Sequence, residues 1–276
     1  MQTGTLILLG FFAGATIVLG LPIARLKSFN ATMRSSLTMF AAGILVFLLV
    51  EILGDATGET ADQLRLAGGG ATGAVLTLLL AIGLLAGFVG LIAFEQRVIR
   101  GKGELSPERL SFTIAAGIGL HNLSEGLAIG QSYAQGMSGF TLTLIIGFGL
   151  HNATEGFGIV GPMVQRGSTV SWGRLALLAL IGGGPTFVGT VLGSLWSSTY
   201  LSVAVLGMAG GALLYVLKQL FSATGKAPRQ TLIMTALVAG FLVGWGTSVI
   251  ADAGVATKAV QLFQQMKLVA VHIAAH

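Results

Sequence analysis

The chain contains no cysteine, and that absence removes disulfides, iron–sulfur clusters and thiolate zinc sites from consideration. Charge is nearly as scarce. Lys, Arg, Asp and Glu make up 9% of the 276 residues, against roughly 25% in a soluble globular domain. With a hydrophobic fraction of 54%, this composition predicts an integral membrane protein. Long polar connections are missing too, which leaves no room for a second, soluble domain. The first apolar run lacks the basic stretch that precedes a cleavable leader, so it reads as a retained membrane span. The net charge of +5 does not point to nucleic acid, because the basic residues fall in short connections between apolar runs, where they set orientation.

What the chain has in quantity is glycine, 42 residues of it. Four-residue spacings recur in Gly10/Gly14, Gly83/Gly87, Gly126/Gly130, Gly189/Gly193, Gly207/Gly211 and Gly240/Gly244. Such pairs let helix backbones approach closely in a membrane. A spanning helix needs roughly 20 mostly apolar residues. Eight segments qualify, at about 4–24, 36–54, 72–95, 111–134, 138–163, 174–196, 200–221 and 230–250. The expected fold is therefore all-α: a polytopic membrane protein with eight transmembrane helices over residues 1–252. Residues 253–276 read as an amphipathic or loosely ordered tail, in which His272 and His276 are incidental. The connections after spans one, three, five and seven hold twelve of the fifteen Lys and Arg residues. The loop after span two instead holds Asp55, Glu59 and Asp62. The positive-inside rule then places both termini outside and the basic connections in the cytoplasm.

Two membrane-length segments nearly repeat each other. GIGLHNLSEGLAIG (Gly117–Gly130) and GFGLHNATEGFGIV (Gly147–Val160) are identical at eight of fourteen positions. Each carries His, then Asn, then a Glu four residues after the His: His121, Asn122, Glu125 and His151, Asn152, Glu155. In an α-helix, positions i and i+4 share a face and i+1 lies beside them. Imidazole nitrogen and carboxylate oxygen are ligands that suit divalent transition metals such as Zn2+, Fe2+ or Mn2+. Spans four and five run antiparallel, joined by the uncharged loop Gln131–Gly139, so the two motifs face each other near the bilayer midplane. Asn122 and Asn152, with bridging glutamates, offer a second, harder site. Ligands must be deprotonated to bind, so metal affinity falls as pH drops. The competing reading is interhelical glue. A charged residue at mid-span costs about 2.5–3.5 kcal/mol on insertion scales, and two glutamates are a heavy penalty for glue alone. A metal offsets it.

The pair of HNxxEG motifs, with eight spans and external termini, resembles the ZIP (Zrt-, Irt-like protein) family of metal transporters. The connection before span four is short and has no His-rich segment, as in a prokaryotic branch of that family. The resemblance implies uptake of Zn2+, or related ions such as Fe2+, Mn2+ and Cd2+, into the cytoplasm by alternating access with an elevator-like movement. The metal is then a transported substrate, with no organic cofactor. The expected partners are the ion, the lipid bilayer and a second copy in a homodimer, and the expected location is a prokaryotic plasma membrane. It assigns metal-binding roles to His121, Asn122, Glu125, His151, Asn152 and Glu155.

The chain departs from the family pattern in span six. Many relatives carry a Glu-Pro pair there, whose Glu contributes to the metal centre. Here IGGGPTFVGT has Gly184 before Pro185, so that carboxylate is missing and the second metal position loses a ligand. Gly184, Pro185 and Thr186 remain cavity-lining candidates, with Gly182–Pro185 either a helix break that exposes carbonyls or a packing kink. Glu51 and Asp55, at the outer end of span two, form a candidate metal entrance. Glu95 reads as a charge partner of Arg97 and Arg100. Two other functions compete: a membrane-embedded metal-dependent hydrolase, and a channel-like conduit or metal sensor. The first lacks a third motif His and a nucleophile. The second fits a duplicated antiparallel site less well than a carrier does. Export instead of uptake is also open.

Overall fold

The computed structural model describes residues 2–25, 30–66, 68–99, 106–166, 170–224 and 230–252. Among the described residues there are eight α-helices and no strand: α1 (Thr3–Ala15), α2 (Ala31–Arg65), α3 (Gly70–Phe94), α4 (Pro107–Ala134), α5 (Ser138–Arg166), α6 (Trp172–Leu195), α7 (Thr199–Thr224) and α8 (Gln230–Asp252). Six of them, α1 with its continuation to Arg25 together with α2, α3, α6, α7 and α8, are long and apolar enough to cross a membrane. The other two are α4 and α5. They are 28 and 29 residues long, so length is not the obstacle; the motif His, Asn and Glu lower their apolarity. The tail predicted over 253–276 lies outside the described residues.

Three sequence expectations need correction. The first span is α-helical only to Ala15, then continues as two 3-10 turns, Thr16–Leu19 and Leu21–Arg25. Pro22 explains the change, because its ring removes an N–H and disfavours α geometry at Leu21. The expected loop after span two is helix: α2 runs on to Arg65 and carries Asp55, Glu59 and Asp62. At 35 residues it is about 52 Å long, well beyond a hydrocarbon core of about 30 Å. The connection between α4 and α5 is also shorter than expected. Gly136, at φ 78°, closes α4 in a Schellman motif, with Gly136 N–H bonded to Tyr133 and Met137 N–H to Ser132.

Side-chain bonds between helix ends define the two faces of the bundle. At one end Thr3 bonds Tyr133, Ser132 bonds Thr141, and Ser202 donates to Gln131. At the other, Arg25 donates to the Val170 carbonyl, and Thr224 at the end of α7 meets Met39 near the start of α2. Glu95 also lies there. It is buried, and it accepts from Tyr215 and from Gln219 Nε2, not from Arg97. Burial explains this: α7 supplies neutral donors, while Arg97 stays exposed.

Glycines decide how the helices group. A Cβ on Gly126 would stand 2.1 Å from the Thr186 carbonyl oxygen, and one on Gly193 would stand 2.4 Å from that of Leu127, so α4 and α6 meet backbone to backbone. Gly14 meets Gly183 of α6 in the same way, and Gly20 meets Ala153 and Gly156 of α5. These contacts tie α1, α4, α5 and α6 into one block. Gly83 and Gly87 lock α3 to Gly207 and Gly211 of α7, and Gly43 locks α2 to Gly240 of α8. Between the two sets the glycines touch side chains: Gly158 of α5 meets Ala41 Cβ at 3.6 Å, and Gly161 meets Thr38. The seam is apolar, with Ile44, Leu45 and Leu48 of α2 clustered with Ile114 and Ile118 of α4, Ile159 of α5 and Leu213 of α7.

Candidate metal centre

His121 and His151 sit at the middles of α4 and α5. Ser124 and Thr154, at matching places in the two motifs, each donate to the carbonyl of their own His, at 2.6 and 2.7 Å. The glycine that closes each motif is structural: Gly126 admits α6 and Gly156 admits the turn at Gly20. With those neighbours close, all six motif side chains are buried, none more than 4% exposed.

Three of the ionisable groups meet. His121 Nε2 lies 3.2 Å from Glu125 Oε1 and 3.4 Å from Glu155 Oε1. His151 stands apart from them, with its Nε2 2.8 Å from Thr247 Oγ1 of α8. Among the described residues no group of three or more His, Asp or Glu is already arranged to hold a metal ion. Many of the polar atoms nevertheless make no hydrogen bond. Both ring nitrogens of His121, Nδ1 of His151, Glu125 Oε1 and both carboxylate oxygens of Glu155 are buried with no hydrogen bond. An unsatisfied buried polar group costs about 1–3 kcal/mol, and more if charged, so this cluster is an expensive one to leave without a ligand.

The asparagines bond chiefly to each other and to neighbouring backbone. Asn122 Nδ2 donates to Asn152 Oδ1 at 2.5 Å and to the Gly182 carbonyl at 3.0 Å. Asn152 Nδ2 donates to the Ala13 carbonyl at 3.2 Å and reaches Glu125 Oε2 at 3.5 Å. The pair joins α1, α4, α5 and α6. It uses the Asn152 oxygen internally and leaves the Asn122 oxygen unpartnered and buried.

A cavity of about 240 Å3 connects the motifs to the acidic part of α2; Glu51, Asp55, His121, Ser124, Glu125, His151 and Ser248 are on its wall. Asp55 is exposed, and Ser248 of α8 donates to Glu51. Gly184, Pro185 and Thr186 are not on this wall. A Cβ on Gly184 would meet only Leu180, at 3.5 Å, so that position faces away from the contact Asn122 makes at Gly182. Pro185 lies inside a continuous α6. It leaves the Ile181 carbonyl without its usual helical donor, and Gly119 of α4 packs against that oxygen. Thr186 is buried with its hydroxyl unpartnered. Sequence reasoning missed Thr247 and Ser248, because an isolated hydroxyl in an apolar span gives no pattern. It missed Ser124 and Thr154 too, although their common register in both copies was visible.

No curated protein matches the chain in sequence comparison. The family model described as ZIP Zinc transporter matches residues 101–248, more than half of the chain. That stretch includes both motifs, α4 to α7 and most of α8. An all-helical membrane protein with paired HNxxEG helices and this family match belongs to the ZIP zinc transporter family, whose members move divalent metal ions and are not enzymes.

Proposed function

We propose that this chain carries Zn2+, or a related divalent ion, into the cytoplasm by alternating access, with the ion held between α4 and α5 by His121, Glu125, His151 and Glu155. The observation that carries this reading is the cluster of unpartnered nitrogen and oxygen atoms reached from a cavity that extends to Asp55. The spacing agrees with the chemistry. With bonds of about 2.05 Å, neighbouring corners of a tetrahedral site are about 3.3 Å apart. The two contacts of His121, 3.2 and 3.4 Å, are close to that value. Ion capture requires His151 and the carboxylates to close around the metal. Without thiolates, nitrogen and oxygen ligands bind Zn2+ loosely enough to release it.

The charge pattern supports an outward-facing cavity. The cavity runs toward the end of α2 that bears Asp55, Glu59 and Asp62, while Arg25, Arg34, Arg97, Arg109, Arg174 and Lys218 lie toward the opposite end. By the positive-inside rule the cavity faces outward. Glu51 and Asp55 draw cations to its mouth. The movement that exposes the ion to the cytoplasm is a slide of the block α1/α4/α5/α6 along the apolar seam, because glycine interlocks hold that block together and chiefly side chains meet across the seam.

Zinc uptake into vesicles reconstituted with the purified protein tests this. Saturable uptake is expected, and Glu125→Ala or Glu155→Ala should abolish it while the protein still inserts. Uptake retained in both variants overturns the assignment, and large single-channel currents replace the carrier with a pore.

A further inference from the structure

Thr247 is a single hydroxyl on α8, outside both motifs, yet it touches one of the motif imidazoles. Its Oγ1 is 2.8 Å from His151 Nε2 and also donates to the Gly244 carbonyl at 2.8 Å. A threonine hydroxyl has one hydrogen. With that hydrogen committed to Gly244, Oγ1 has only lone pairs to offer, so His151 Nε2 must carry the hydrogen of this contact. The other ring nitrogen, Nδ1, is then a bare lone pair. It is buried and has no hydrogen-bond partner.

We infer that Thr247 is a positioning residue for metal binding: it fixes the His151 tautomer with hydrogen on Nε2 and thereby keeps Nδ1 as the metal-ligating atom. The inference rests on the proposed role of His151 as a ligand and adds to it which nitrogen binds and what decides that. Metal-binding histidines commonly donate their second ring N–H to a fixed acceptor, and loss of that acceptor typically costs about 10- to 100-fold in metal affinity. Here the acceptor is relayed. The Gly244 carbonyl, which also interacts with the His151 ring directly, orients the hydroxyl, the hydroxyl and the carbonyl together hold the imidazole N–H, and the imidazole presents its lone pair on Nδ1. The His151 ring also packs edge-on against Phe47, with centroids 6.4 Å apart and planes 64° apart.

The relay also crosses the seam. His151 is on α5 and Thr247 on α8, which belong to different glycine-locked blocks. A second bond across the seam, Ser202 Oγ to Gln131 Oε1 at 2.8 Å, provides a control that touches no motif residue.

Two measurements test the relay. In metal-free protein labelled with 15N-histidine, the His151 signals, identified by their loss in His151→Ala among the four histidines of the chain, should report hydrogen on Nε2. In Thr247→Val, which removes the acceptor and keeps the volume, they should report a mixture or the opposite tautomer. In zinc uptake, Thr247→Val should raise KM about tenfold with the maximal rate retained, Thr247→Ser should restore the wild-type KM, and Ser202→Ala should leave KM unchanged. Added to His151→Ala, Thr247→Val should have no further effect on residual zinc binding, since both act through one atom. An unchanged KM and tautomer in Thr247→Val, or an equal loss in the His151→Ala background, overturns the relay while leaving His151 a ligand. Full uptake in His151→Ala instead overturns the ligand assignment beneath it.

Discussion

In the proposed metal centre imidazole and carboxylate would do different work, and single substitutions separate them. Nitrogen suits Zn2+ better than Mn2+, for which oxygen ligands suffice. His151→Ala should therefore weaken Zn2+ uptake more than Mn2+ uptake in competition assays; equal losses argue against nitrogen ligation. Asn152 acts otherwise. Its amide ties Asn122, the Ala13 carbonyl and Glu125 together, so Asn152→Ala leaves the buried Asn122 amide and the Ala13 carbonyl short of a partner. A loss of about 1–3 kcal/mol in stability is expected, seen as a lower melting temperature in detergent with or without metal. A variant as stable as wild type would return Asn152 to a purely ligating role.

Among the helices, α6 depends most visibly on which glycine is changed. Gly126→Ala places a methyl group 2.1 Å from the Thr186 carbonyl oxygen, a contact with backbone that no rotamer relieves. It should cost about 1–3 kcal/mol and lower the melting temperature. Gly184→Ala meets only Leu180, at 3.5 Å, and should be tolerated. Equal melting temperatures for the two variants would refute the close approach of α4 and α6. The same placement bears on the missing Glu-Pro carboxylate: with position 184 turned toward Leu180, Gly184→Glu should leave zinc stoichiometry unchanged, and an added bound ion would show that the side chain reaches the centre.

The absence of cysteine makes the proposed movement of the whole molecule testable, because introduced thiols have no native competitors. Gly158 on α5 and Ala41 on α2 face each other across the seam; a Cβ on Gly158 would stand 3.6 Å from that of Ala41, inside the range that a disulfide spans. Gly158→Cys combined with Ala41→Cys should form a disulfide that stops zinc uptake, and reduction should restore it. Full uptake by completely oxidised protein would mean that the blocks do not slide. A slide would also part His151 from Thr247, so the seam contact and the state of the ligand change together.

The sequence determined the chemistry and the helical class. Repeated His, Asn and Glu in two apolar segments name the groups, since their cost in a membrane demands a purpose. The six spaced glycine pairs likewise mark helix interfaces, because only small residues let backbones touch. Local rules reached less far at the ends of elements. The extension of α2 to Arg65 escaped them because charged helix outside the hydrocarbon core has the same composition as a loop, and the 3-10 turns after Ala15 followed from Pro22 but were hidden inside an apolar run. Only the tertiary structure decided how the pieces combine: that the two asparagines bond each other, that Glu95 is buried against α7, that Gly184 faces away from Asn122, and that His151 turns to Thr247. Each depends on which helix lies opposite. Helical periodicity fixes the face a residue occupies on its own helix but carries no information about the partner across the interface.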